Sequence, residues 1–330
     1  MKLAVLDDYQ QLALKSADWE RLRKRGLQVS VFHEAFASQD DAARKLEPFE
    51  VLVLMRERTP FPRALIERLP NLKFIALTGL RSASLDLAAC TERKVPVSNT
   101  RGGSTSAVTA EFCFLLMLAA ARDLAKAERG MREGRWHEGI GGGMVLEGKR
   151  LGLVGLGKLG SRVAGYAKAF GMDIVAWSQN LTAEKAALAG ASFVSKEELF
   201  RTSDFVSIQL VLSDRSRGLV GAADLALMKP TAILVNTSRG PIVDEKAMLA
   251  ALRSGKLAHA ALDVYDTEPL PADHPLRSMQ NVTLSPHLGY VSEDVYRTFW
   301  GDSVEDVEAW LDGKPVRVLN PDALNPESLG

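Results

Sequence analysis

The chain is short of several things, and each shortage excludes a class of function. It has two cysteines in 330 residues, Cys90 and Cys113, each within an apolar or alanine-rich run. Two are too few for a disulfide framework, and their setting reads as buried, reduced thiols of a cytosolic protein. The five histidines are scattered, with no cysteine or carboxylate at metal-ligand spacing, so no metal site is expected. Net charge is also missing. Lys plus Arg number 41 and Asp plus Glu number 41, so no global field favours nucleic acid or an acidic membrane. The densest basic cluster, Arg21, Arg23, Lys24 and Arg25, falls on a helical pattern and reads as a solvated face. The longest apolar helical run, Ala107 to Ala121, is rich in alanine, interrupted by Glu111, and too short for a bilayer. The first residues, Met1 to Leu6, go directly into a strand, so no signal peptide is expected. A cytoplasmic protein without nucleic-acid or membrane partners follows as the expectation.

What is present is alternation. Short apolar runs at Lys2–Leu6, Gln28–Phe32, Val51–Met55, Phe74–Leu77 and Val95–Ser98 predict strands, with helical patterns such as Asp18–Arg25 and Pro62–Leu69 between them. After a long helix near 107–127, a second series runs through Arg150–Val154, Asp173–Trp177, Ser192–Val194, Phe205–Leu210, Ala232–Asn236, Ala260–Val264 and Val282–Leu284. Two α/β series in 330 residues imply two doubly wound parallel-sheet domains with a cleft between them. A helix predicted over Asp294–Leu311 follows the last strand. The tail Pro315–Leu319 is too short for a domain and is expected to pack back on the first. The predicted boundaries are therefore 1–100 with 289–330 for a discontinuous domain, and 101–288 for the other.

The most informative stretch is Leu151-Gly-Leu-Val-Gly-Leu-Gly-Lys-Leu-Gly160. A buried strand breaks into Gly155-x-Gly157-x-x-Gly160 and continues as a helix, which is the arrangement of a dinucleotide-binding turn. Gly155 permits the tight turn, Gly157 lets a pyrophosphate approach, and Gly160 lets helix and strand pack closely. Lys158, Leu159 and Gly160 then supply N–H groups at a helix start. Three later strands end in Arg239, in Asp263 with Glu268, and in His287. In an open parallel sheet these ends face the ligand crevice.

With these segments, and with Asn99-Thr-x-Gly102, Gly148-Lys-x-Leu-Gly152 and Leu227-Met-Lys-Pro230 in order, the chain resembles the D-isomer-specific 2-hydroxyacid dehydrogenases over nearly its whole length. The resemblance implies a Rossmann-type nucleotide domain plus a flavodoxin-like substrate domain, and a homodimer built around an arm of roughly 103–147. It also implies hydride transfer between NAD(P) and a small anionic substrate, a D-2-hydroxy acid or 2-oxo acid. His287 would be the acid/base, Glu268 would fix its tautomer and favour imidazolium, and Arg239 would bind the carboxylate. Taken singly, each residue also has a bland reading as loop, solvated surface or ion-pair partner.

The same resemblance assigns cofactor contacts to Thr237, Ser238, His287 and Gly289, and places Asp263 at the nicotinamide amide. The segment Leu77–Asp86 matches the family's carboxylate-binding glycine loop, with N–H groups expected from Gly79 and Leu80. The family's second glycine is here Arg81, which either binds a second anionic group on the substrate or pairs with Asp86. Arg56 follows a strand at the same edge and either faces the substrate or pairs with Glu57 or another acid. Tyr290 either narrows the cleft or packs at the hinge. His33, His137, His259 and His274 read as structural or surface residues. Where an NAD enzyme of this type places an acid for the ribose, the chain has Ser178, so NAD is expected with NADP possible. With the sequence ending at Gly330, the regulatory domain of longer phosphoglycerate dehydrogenases is not expected. The alternatives are phosphite-type oxidation on the same fold and a dinucleotide-sensing, co-repressor-like binding protein.

Overall fold

Short leucine-, valine- and isoleucine-rich runs, buried on both faces, build two parallel sheets. The computed structural model describes residues 1–324, and they fall into two units. One is Met1–Ser104 together with the chain from Val291, and the other is Thr105–Tyr290. The first unit carries β1 (Lys2–Val5), β2 (Gln28–Val31), β3 (Val51–Leu54), β4 (Phe74–Leu77) and β5 (Val97–Asn99) in the order β2-β1-β3-β4-β5. All pairings are parallel. Every residue of β3 and β4 is buried, as central strands covered by helices on both faces require. The order reverses between β1 and β3, the flavodoxin-like switch point.

The strand expected at Val95–Ser98 starts instead at Val97. Pro96 has no N–H to give, and contributes only its carbonyl, to the Ile75 N–H at 3.1 Å. The tail returns to the free edge of β5: the Leu319 N–H donates to the Val97 carbonyl (2.8 Å), and the Val97 N–H to Asn320 Oδ1 (2.8 Å). An edge that would otherwise template pairing is thereby covered. The helix Glu293–Leu311 belongs to this unit and buries Tyr296, Phe299 and Trp300 completely. Each such side chain contributes roughly 1.5–3 kcal/mol.

The second unit carries β6 (Arg150–Val154), β7 (Asp173–Trp177), β8 (Ser192–Phe193), β9 (Phe205–Ile208), β10 (Ile233–Asn236), β11 (His259–Leu262) and β12 (Val282–Leu284). Their order is β12-β11-β10-β9-β6-β7-β8, all parallel. This is the Rossmann-type order with one strand added, and its switch point lies between β6 and β9. The long helix expected near 107–127 is two helices, Thr105–Ala121 and Leu124–Arg132, because Asp123 takes a left-handed conformation (φ 50°). The first of them contributes Ala110, Cys113, Phe114 and Met117 to the core under β6 and the helix Lys158–Ala169. Both cysteines are free and buried, and burial pushes the Cys90 thiol up to about 12.

Candidate active site

Parallel strands deliver all their C-terminal ends to one edge of the sheet. At five of those ends the backbone turns left-handed. Asp7 (φ 58°) follows β1, Arg56 (51°) β3, Gly79 (85°) β4, Gly155 (105°) β6 and His287 (56°) β12. A non-glycine residue held this way costs roughly 1–3 kcal/mol and persists only where its surroundings enforce it. The surroundings of these turns therefore show what the strain accomplishes.

In the second unit, His287 Nδ1 and Glu268 Oε2 share a hydrogen bond of 2.5 Å. The other Glu268 oxygen accepts the Tyr265 N–H at 2.9 Å, which fixes the carboxylate plane. Burial pushes the Glu268 carboxyl up. The His287 bond and charge, the Tyr265 N–H and the nearby Arg239 charge outweigh it and hold the group below the ordinary range. Glu268 is thus an anion at neutral pH, and it leaves Nε2 of His287 as the ring atom open to proton exchange.

Asp263 is fully buried beneath this loop. Its Oδ1 accepts the Ser285 hydroxyl (2.7 Å) and the Leu288 N–H (2.7 Å), and its Oδ2 accepts the Gly289 N–H (2.8 Å). Burial raises its carboxyl above the usual range against the pull of Ser285 and of the His287 charge. A side chain at 289 would bring a Cβ within 2.8 Å of Asp263 Oδ2, so Gly289 is needed for the bond. The residue expected at the nicotinamide amide is therefore also the anchor of the histidine turn. Tyr290 packs its ring edge-on to His287, with centroids 5.5 Å apart and planes at 85°.

Arg239 stands past β10, with its Nη1 donating to the Ser238 carbonyl at 2.6 Å. Asn236 ties the turn at both ends: its Oδ1 accepts the Ser238 N–H, and its Nδ2 donates to the Arg239 carbonyl, both at 3.0 Å. A Cβ at Gly240 would run into the Tyr265 carbonyl group, so the arginine turn packs directly on the backbone leading to Glu268. Thr237 and Ser238 are buried, and the Ser238 hydroxyl donates to the Ile208 carbonyl at 2.9 Å.

The glycine turn has the space its spacing predicts. A Cβ at Gly155 would lie 2.6 Å from the Gln209 carbonyl oxygen, and one at Gly160 would strike the Gly155 carbonyl. At Gly157 nothing lies within 4 Å. Two glycines are therefore filled against protein and the middle one faces open space, at the start of the helix Lys158–Ala169. Its first internal hydrogen bond is Ser161 N–H to the Gly157 carbonyl, which leaves the N–H groups of Lys158, Leu159 and Gly160 for an anion.

In the first unit, the expected donors past β4 shift by one residue. The Gly79 N–H is taken by Thr100 Oγ1 (2.7 Å, buried), so Gly79 shapes the turn and does not offer its own donor. Among the described residues, no acceptor lies against the N–H groups of Leu80 and Arg81. A Cβ at Gly79 would meet Arg56 Nη1 at 2.8 Å, which puts the Arg56 guanidinium over the glycine turn. Arg81 does not pair with Asp86. That carboxylate caps the helix Leu87–Glu92 through the Ala89 N–H (2.8 Å) and faces Arg63 Nε at 3.7 Å.

Residues 114–289 match the model of the D-isomer specific 2-hydroxyacid dehydrogenase NAD-binding domain. A glyoxylate reductase of Aeropyrum pernix is 40% identical over 274 residues, 81% of this chain and 82% of that one. A D-3-phosphoglycerate dehydrogenase of Archaeoglobus fulgidus is 34% identical across 99% of this chain, which spans only 60% of its length. The structure of a phosphoglycerate oxidoreductase from Vibrio cholerae superposes with a TM-score of 0.89 at 38% identity, covering 95% of this chain and 99% of that one. The chain belongs to the D-isomer specific 2-hydroxyacid dehydrogenases.

The protein is accordingly an NAD-dependent oxidoreductase acting on CH–OH. In this dehydrogenase Ser178 follows β7 directly, half-buried, with its carbonyl accepting the Leu181 N–H at 3.2 Å. The glycine cradle and the open first turn fit the cofactor's pyrophosphate. Sequence reasoning missed Thr100, Tyr265 and Ser285, each of which acts by bonding another site residue. No local pattern marks them. The remaining histidines are held elsewhere or exposed: His259 Nε2 bonds Thr283 Oγ1 (2.9 Å), His274 bonds Glu245 (3.1 Å), and His33 bonds the Asp8 carbonyl (3.1 Å). His137 is exposed. No helix among the described residues is long and apolar enough to cross a membrane.

Proposed function

We propose that this dehydrogenase interconverts a small 2-oxo acid and its D-2-hydroxy acid, with glyoxylate and hydroxypyruvate the simplest candidates. The observation that carries the proposal is the Glu268–His287 pair. An ionised carboxylate fixes one ring nitrogen and leaves the other free to exchange a proton. In reduction, His287 gives its Nε2 proton to the carbonyl oxygen as the carbonyl carbon gains hydride, and Glu268 stabilises the imidazolium beforehand. In oxidation, His287 takes the hydroxyl proton back. Arg239 binds the carboxylate and draws electron density from the reacting carbonyl. Within the first unit, the N–H groups of Leu80 and Arg81, with the Arg56 guanidinium over Gly79, form a donor group suited to a carboxylate. Asp263 positions His287 by holding the two residues that follow it. Gly155, Gly157 and the first turn from Lys158 to Gly160 would hold the cofactor's pyrophosphate, with Thr237, Ser238 and Gly289 as further contacts, and the cofactor would supply or accept the hydride.

Ser178 puts no negative charge where a ribose 2′-phosphate would sit, so NADP use accompanies NAD use in this reading. A homodimer is supported by Leu115, Leu124, Met131, Trp136 and Val145, all exposed within one stretch of the second unit. A cytoplasmic location is supported by two free, buried thiols. The assay is absorbance at 340 nm with NADH or NADPH and a panel of glyoxylate, hydroxypyruvate, pyruvate, oxaloacetate, 3-phosphohydroxypyruvate and an aromatic 2-oxo acid. Phosphite is tested in the oxidative direction. Turnover on a 2-oxo acid is the expected result. Turnover on phosphite alone, or tight cofactor binding with silence across the panel, would overturn it in favour of phosphite oxidation or a cofactor sensor.

A further inference from the structure

Arg81 stands where the family's glycine loop has a second glycine, and no partner among the described residues explains it. Its side chain is exposed and has no hydrogen bond or ion pair among the described residues. The acid nearest in sequence, Asp86, is committed to a helix cap and to Arg63. The neighbouring hydroxyls of Ser82 and Ser84 bond each other at 2.9 Å and offer it no charge. The same turn already contains what one carboxylate needs: the N–H groups of Leu80 and Arg81, with the Arg56 guanidinium lying over Gly79. The side chain of Arg81 adds a further cation to a place where one negative charge is already matched. A substrate with a single carboxylate leaves that cation uncompensated, and a substrate with a second acidic group compensates it. A guanidinium is also the group that pairs best with carboxylate or phosphate oxygens, through two parallel N–H donors.

We propose that Arg81 determines substrate specificity by selecting 2-oxo and 2-hydroxy acids that carry a second anionic group, carboxylate or phosphate, beyond the reacting carbon. The proposal rests on the reductase reading and narrows its substrate class. The Arg81 guanidinium holds the distal group while the backbone of the same turn holds the proximal carboxylate. Glyoxylate, which has no distal group, is then a poor substrate beside a four-carbon diacid or a phosphorylated acid.

The test measures binding apart from turnover. Calorimetry on the intact protein saturated with NADH follows D-malate against D-2-hydroxybutyrate, and 3-phospho-D-glycerate against D-glycerate. These hydroxy acids cannot react with reduced cofactor. The expected result is a preference of about 10- to 100-fold for the charged member of at least one pair. The pair that shows it separates carboxylate from phosphate. R81A removes that preference, and R81K keeps part of it, because the charge remains while the fork is lost. Thermal melting and NADH affinity check that the variants are folded, and R81Q repeats the measurement if R81A melts early. No preference in the wild-type protein, or a preference that survives R81A and R81Q, overturns the proposal. An Arg81-dependent preference without turnover of any 2-oxo acid overturns the reductase reading and leaves the second anion site standing.

Discussion

Past β12, His287 is bonded by Glu268 and braced through Asp263, whereas past β4 the backbone donors of Leu80 and Arg81 and the Arg81 guanidinium meet no acceptor among the described residues. Both turns are left-handed, and both follow a buried strand of a parallel sheet. They differ in what their neighbours do. In the second unit the Glu268 carboxylate, the His287 ring and the Tyr265 N–H already hold one another, so that pair is arranged before any ligand arrives. In the first unit the donors are left open, so the ligand supplies the missing charge. Under the proposed function the contrast separates a unit that carries the acid/base pair from a unit that offers open donors, and it can be broken by experiment.

The largest effect is expected at His287. His287→Ala removes the proton donor and is expected to lower kcat by about 10²- to 10⁴-fold, with NADH binding retained in a fluorescence titration. Glu268→Gln keeps a hydrogen-bonding shape but removes the charge, so its loss is smaller. Steady-state kinetics of the two variants, compared side by side, read the difference. Near-normal turnover in His287→Ala would place the chemistry elsewhere and erase the distinction between the two units.

A change in the first unit should act on the other parameter. Gly79→Ala would place a Cβ 2.8 Å from Arg56 Nη1 at a φ of 85°, so either the guanidinium or the turn must move. The expected outcome is a rise in KM of about tenfold with kcat within a few-fold of wild type, read from steady-state kinetics. An equal fall in kcat with no change in KM would mean that the first unit also takes part in the chemical step.

How much of this was legible in the sequence depended on whether the signal was local. The spacing of Gly155, Gly157 and Gly160 after a four-residue apolar run carries its own geometry, and the space around each glycine agrees with it. The placement of His287, Glu268 and Arg239 after strand ends was legible because parallel strands point one way, and the Glu268–His287 bond joins two of them. The loss of the Gly79 donor to Thr100 was not legible, since 21 residues separate the two and a buried threonine leaves no periodicity. Asp263 reaches Leu288 and Gly289 across a comparable gap. The break at Asp123 was missed because the left-handed residue is neither glycine nor proline. The choice between Asp86 and a substrate group for Arg81 turned on Arg63, upstream of both.

The smallest expected effect contrasts two carboxyls, one on the exposed loop after β11 and one buried in a helix. Glu268 is held below its ordinary range by partners, while Asp306, on the helix Glu293–Leu311 of the first unit, is pushed up to about 7. Burial is the main cause. It outweighs the Arg317 guanidinium at 2.7 Å, and the like charges of Asp302 and Glu305 act in the same direction as burial. A raised carboxyl means that between roughly pH 4 and 7 the folded chain holds a proton that the unfolded chain has lost. Stability from this group therefore falls as pH rises through that window, the reverse of the Glu268 contribution, which is lost as pH falls. Across the window the change is at most about 4 kcal/mol, because each tenfold difference in proton affinity between the folded and unfolded chain is worth about 1.4 kcal/mol and the window spans about three. Asp306→Asn cannot ionise, and Arg317 retains the Asp302 carbonyl (3.2 Å) and Glu305 (3.0 Å). Calorimetric melting at pH 5 and pH 8 should show a smaller difference in Tm for Asp306→Asn than for the wild-type chain. An unchanged difference would move the titration away from this helix.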